Sequence, residues 1–204
     1  EMCIRDRSTG HHGFKQMWEL VKGDRVLQNF LLVRSLLLAT TLSTPFIVVL
    51  AQREGANLAG LGAFIIASGG AALVGGRVSG MWSDRSSKTT MSMAAAVASV
   101  VIVGLVASAQ FAPAAVNAWV MPLGFFLVNL AHMTVRVARK TYLVDMTEGD
   151  QRTLITGVSN TVMGIVLLIV GAISSAIAVF GPQAALLFLA AMGFAGVFGA
   201  ARLK

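Results

Sequence analysis

Six apolar runs govern what this chain can fold into: residues 26–51, 58–81, 90–110, 115–135, 154–180 and 183–201. Each is close to or above the roughly 20 residues that an α-helix needs to cross the hydrocarbon core of a bilayer. The runs lack period-two alternation and no turn chemistry recurs between short segments, which argues against strands and a membrane β-barrel. Charged residues make up 12% of the chain, about half the share of a soluble domain, so a water-soluble fold is set aside. Its 21 glycines and ten methionines suit helices packed in lipid, where small residues let backbones approach. The expectation is an all-α polytopic membrane bundle of six transmembrane helices.

Two segments precede the first run. Residues 2–7, MCIRDR, resemble the translation of a transposon adapter used in sequencing libraries, so residues 1–7 are expected to be foreign and the chain a fragment. The single cysteine, Cys3, falls there and offers neither a disulfide framework nor a Cys-rich metal site. Residues 8–25 read as a linker. Within it Phe14, Met17, Trp18 and Val21 recur at helical spacing among Lys15, Glu19 and Lys22. This is either an interfacial helix with Trp18 at headgroup level or a polar lead-in to the first span. The first run is too long, and its lead-in too polar, for a signal peptide.

The basic residues set the topology. Lys15, Lys22 and Arg25 precede the first span; Arg77, Arg85 and Lys88 lie at the second connection; Arg136, Arg139, Lys140 and Arg152 lie at the fourth; Arg202 and Lys204 close the chain. Opposite them stands Arg53, balanced by Glu54. The positive-inside rule then puts both ends in the cytoplasm of a cell (inner) membrane protein, with residues 202–204 as a short tail. The net charge of +7 is thus read as topology, and no nucleic-acid partner is expected.

The second run ends in GRVSGMWSDRSSK, residues 76–88. Gly76, Gly80 and Asp84 are four apart and share one helix face, which two glycines clear for a neighbouring helix. That face delivers the Asp84 carboxylate to the cytoplasmic edge, before a basic loop. Residues 80–88 resemble the G-x-x-x-D-R-x-G-R-R signature of the major facilitator superfamily. Gly80, Asp84, Arg85 and Lys88 match, whereas Ser87 stands where the second glycine is usual and Thr89 where a second base is usual. Residues 136–153, RVARKTYLVDMTEGDQRT, look like the family's connection between its tenth and eleventh helices. The resemblance covers the chain from about Phe14 and implies the C-terminal six-helix half of a twelve-helix secondary transporter. It further implies that Asp84 meets the start of another helix near Arg152 and Thr153, a latch made in one alternating-access state and broken in the other. The alternative is that Asp84, Arg85 and Lys88 only keep a loop wet and set topology.

Ionisable groups within the spans are costly and therefore candidates for function. Two lie well inside, Arg34 and His132, and no acid does. Asn129, His132, Arg136 and Lys140 form a stripe that runs roughly 16 Å inward from the cytoplasmic edge, to about mid-bilayer. His132 either titrates in a cavity or hydrogen-bonds a neighbour, and Asn129 is a candidate substrate contact. Arg34 shares a face with Thr41; it binds an anionic group, pairs with an acid elsewhere, or snorkels to the headgroups. Pro45 is expected to kink the outer end of its helix. Gly157, Gly164 and Gly171, seven apart, make a seam for packing or sliding, with Asn160 beside it as a further cavity candidate. No zinc-ligand cluster, deep carboxylate pair or phosphate loop occurs, so neither an enzyme nor a cofactor is expected. The expected partners are membrane lipid, a missing N-terminal six-helix half and an unknown small-molecule substrate. A six-helix homo-oligomeric transporter, and a facilitator-like sensor or assembly protein without transport, remain open.

Overall fold

The computed structural model of the chain describes residues 31, 33, 35–37, 39–55, 58–83, 87–146 and 151–202. Residues 1–7 and 8–25, with their adapter-like and interfacial-helix readings, lie outside them. Among the described residues there is no strand, and six helices are long and apolar enough to cross a membrane. They are α1 (Ser43–Arg53, entered through the 3-10 turn Thr40–Leu42), α2 (Leu58–Ser83), α3 (Ser87–Phe111), α4 (Ala114–Met146), α5 (Gln151–Ile177, continued by the 3-10 turn Ala178–Phe180) and α6 (Pro182–Arg202). The apolar stretch that carries α1 runs over Ser35–Arg53.

The boundaries differ from the sequence reading where helices outlast their apolar runs. α4 continues past Val135 through the basic segment to Met146, and α5 begins at Gln151. Helix termini tolerate charge once they leave hydrocarbon, so hydropathy marks where the membrane stops and not where the helix stops.

α1 is irregular for a chemical reason. Pro45 has no N–H to give the Thr41 carbonyl four residues back. The Thr44 hydroxyl donates to that carbonyl instead, at 3.2 Å. The 3-10 turn falls directly before, closed by the Ser43 N–H on the Thr40 carbonyl. The disturbance therefore lies within the span and not at its outer end, because a proline strains the turn preceding it.

Packing is dense around α3, whereas α2 packs through one face against α4 and α5 makes few contacts. Ile47 and Leu50 of α1, Ile102 and Leu105 of α3, Met121 and Val128 of α4, and Leu186 of α6 form one continuous core. Phe64 of α2 meets Phe125 of α4 edge to face, ring centres 4.9 Å apart. Near the other end Val33, Leu37, Ala95, Ala98, Ala131 and Val135 form a second cluster of mostly small side chains. Glycines set the two closest crossings. A Cβ at Gly124 would lie 2.5 Å from Leu105 Cδ2, and one at Gly193 would overlap Ser99 Oγ and Thr40 Cγ2. By contrast, 17% of the apolar stretch is buried in each of α2 and α5, against 33% to 47% in the other four.

Gly193→Ala is expected to lower stability by about 1–3 kcal/mol, as overpacking does. Gly104→Ala meets open space and should be neutral or stabilising by up to about 1 kcal/mol, the helix-propensity gain over glycine. Unfolding of both variants in detergent micelles checks the contrast.

Candidate functional site

The residues singled out in the sequence divide into three groups. Arg34, Asp84 and Arg85 lie outside the described residues, as do the side chains of Lys88 and Arg152, whose backbones start α3 and α5. The second group, Thr41, Asn129, His132 and Arg136, sits on α4 and on the turn that faces it. The third, Gly76, Gly80 and Asn160, sits on the open faces of α2 and α5.

His132 is 6% exposed, on the inward face of α4. Its ring lies beside the Thr40 carbonyl, one residue from the half-buried Thr41. Asn129, three residues outward, is half-buried, and its Nδ2 donates to the Phe125 carbonyl at 2.9 Å. That bond spends one of its two amide protons on its own helix. Arg136, one turn beyond His132, is exposed. The stripe is therefore graded, from a buried imidazole to an exposed guanidinium.

The close approach expected at Gly76 and Gly80 is made elsewhere on α2. A Cβ at either position would meet nothing within 4 Å, and Gly76 is exposed. It is Gly75 that faces α4, where a Cβ would lie 3.1 Å from Met133 Cβ. Four residues on, the Ser79 and Thr134 hydroxyls are 3.0 Å apart. Thr134 gives its one proton to the Leu130 carbonyl, so Ser79 is the donor between the helices. Helix α2 is apolar all round, and adjacent Gly75 and Gly76 are equivalent in such a pattern; only the partner helix chooses between them. Gly157 and Gly164 on α5 are likewise exposed and open. Asn160 is exposed beside them, at the second residue of its apolar stretch and thus shallower than the depth of His132.

A polar cluster at the opposite end was not read from the sequence. Asn117 in the first turn of α4 is 2% exposed. Its Oδ1 accepts from Ser108 Oγ at 2.6 Å, which turns its Nδ2 toward Glu54 Oε2 and the Ala112 carbonyl, each 3.4 Å away. Glu54 thus reaches the start of α4, where the helix dipole favours an anion. Its neighbour Arg53 goes the other way: a Cβ at Gly181 would lie 3.8 Å from Arg53 Nη1. Glu54 therefore ties the tip of α1 to the start of α4, and the Arg53 guanidinium lies near the turn at Gly181. A recess of about 190 Å³ opens there, lined by Ala51, Glu54, Phe64, Asn117, Met121 and Pro122 among others. Gly55 and Gly181 have φ of 92° and 123°, which permits the sharp reversals. The only sequence signal was the set of polar residues flanking short turns, and their pairing spans 63 positions.

The chain matches no family model, no curated protein and no solved structure.

Asn117→Ala is expected to cost about 1–3 kcal/mol, because it strips partners from Ser108 and Glu54 together. Ser108→Ala removes one bond and should cost less, about 1 kcal/mol. Equilibrium unfolding of the two variants in micelles measures the difference.

Proposed function

We propose that the chain is the C-terminal six-helix half of a secondary transporter of the major facilitator type, moving a small solute by alternating access against an N-terminal bundle. The observation that carries this reading is the state of α2 and α5. Both are the second helix of a three-helix set, both are the least buried, and both carry glycines seven apart: Gly62, Gly69 and Gly76 on α2, Gly157, Gly164 and Gly171 on α5. A Cβ at any of the six meets nothing within 4 Å, apart from Leu42 Cδ1 at 3.9 Å from Gly171. The same faces carry exposed large apolar residues between the glycines, Ile66 and Leu73 on α2 and Leu168 on α5, so each row is a line of gaps in an apolar face. Rows of glycine suit another helix that comes close and slides.

In this reading the two rows meet the partner bundle, and the solute site lies between the halves near the midplane. Asn129 reaches it from α4, while Arg136 on α4 and Asn160 on α5 stand nearer the cytoplasmic mouth, at the ends of their apolar stretches. The basic connections face the cytoplasm, and Asp84 with Arg85 forms the latch toward Arg152 at the start of α5. Such a latch acts electrostatically: the N-terminus of a helix favours a carboxylate, and breaking that contact costs free energy in one state only. A homo-oligomer of six-helix chains would use the same rows for a second copy.

Flux in proteoliposomes made with the twelve-helix protein tests the reading. Gly69→Leu and Gly164→Leu are expected to leave the bundle inserted and folded but to abolish most transport, since the added side chains block only an approach from outside. Asp84→Asn should slow transport without loss of insertion. Wild-type flux in all three variants would overturn the proposal.

A further inference from the structure

We propose that the recess at the tip of α1 binds a small primary amine in its ammonium form. The recess is lined by α1, α2, α4 and the turn after α1, so the site does not rest on the transport reading. It lies at the end of the bundle opposite Arg77 and Arg136.

The polar part of its lining is made of acceptors. The half-buried Glu54 carboxylate takes one hydrogen bond among the described residues, from Asn117 Nδ2 at 3.4 Å. Asn117 turns the same amide to the Ala112 carbonyl, so both of its protons are committed and none is left for a ligand. A second acceptor arises independently, from Pro122. It lines the recess together with Ala118, and without an N–H it leaves the Ala118 carbonyl lacking its usual helical donor.

Nothing in the lining answers the carboxylate's charge in full. No Lys, Arg or His is among the lining residues, and the Arg53 guanidinium lies near the turn at Gly181 instead. The start of α4 offsets part of the charge, but a helix N-terminus is worth only about half an elementary charge. An anionic ligand would be repelled, and a neutral one would leave the remainder unmatched.

The rest of the recess is apolar, walled by Ala51, Phe64 and Met121. Phe64 is held edge to face against Phe125. Hard metal ions take about six oxygens, more than one carboxylate and one free carbonyl supply. An ammonium group needs at most three acceptors and brings its own donors. The volume is about 190 Å³, and a dry cavity of roughly 150 Å³ already takes up benzene. A few acceptors in a mostly apolar hollow is the usual make-up of a small-molecule site. The occupant is therefore a cation with one charged head and a short apolar body.

Methyl NMR of the full-length protein in lipid nanodiscs, labelled with ¹³C-methyl methionine, tests the site. The spectrum of Met121→Leu assigns the Met121 methyl at the recess wall. The probes are n-butylamine, 1-butanol, sodium butyrate and sodium chloride at pH 7. The site predicts that n-butylamine shifts the Met121 signal saturably and that the other three do not. Glu54→Gln keeps an acceptor for Asn117 and the size of the side chain. It should weaken the amine by about tenfold or more, the share of one charge-assisted hydrogen bond, while the remaining methionine signals stay in place. Ala118→Leu fills the recess and should abolish the shift. A Met121 signal that n-butylamine leaves unmoved overturns the proposal. So does an equal shift from 1-butanol or sodium chloride, or a Glu54→Gln variant that binds the amine as the wild type does.

Discussion

Every backbone carbonyl in hydrocarbon must find a donor, and Pro45 removes one from the middle of a spanning helix. The rest of the bundle is arranged around that loss. The Thr44 hydroxyl turns back to the Thr41 carbonyl, the preceding turn tightens to 3-10, and α6 comes close enough at Gly193 to seal it. His132 reaches the same level from α4. A helix break that would be fatal if it faced lipid is tolerated here because three other helices enclose it. The crossing of α1, α3 and α6 is therefore a place of very close approach, at Gly193, with the hydroxyls of Thr40, Ser43 and Ser99 buried around it.

Away from that crossing the bundle is held at its two ends by different means. At one end Glu54 and Arg53 reach from the tip of α1 to the turns before α4 and α6. At the other the small side chains Ala95, Ala98 and Ala131 bring α3 and α4 together, and the Ser79 hydroxyl bonds Thr134 between α2 and α4.

What could be read in the sequence follows from which signals are local. Hydropathy is a sum over neighbours, so the existence of six spans was legible, whereas the charged extension of α4 to Met146 was not; the start of the first span lies outside the described residues. His132 was legible as a group of interest because an ionisable residue amid apolar ones is rare in any context. Rotational choices were not legible. Gly75 and Gly76 are indistinguishable until α4 is in place, and the packing face went to Gly75 with Ser79. Nor was the Ser108–Asn117–Glu54 chain, since each of its residues reads as ordinary turn polarity until the fold brings them together.

The proposal that this bundle works against a second one turns on what covers the glycine rows of α2 and α5. Photo-crosslinking answers that most directly, with a benzophenone side chain introduced at Gly69 and at Gly164 in the native membrane and the products identified by peptide mapping. The account predicts crosslinks from both positions to apolar helices outside residues 26–201 of the same polypeptide. Crosslinks to lipid alone would contradict it. Crosslinks to α2 or α5 of a second copy would contradict it too, and would leave a six-helix oligomer in its place.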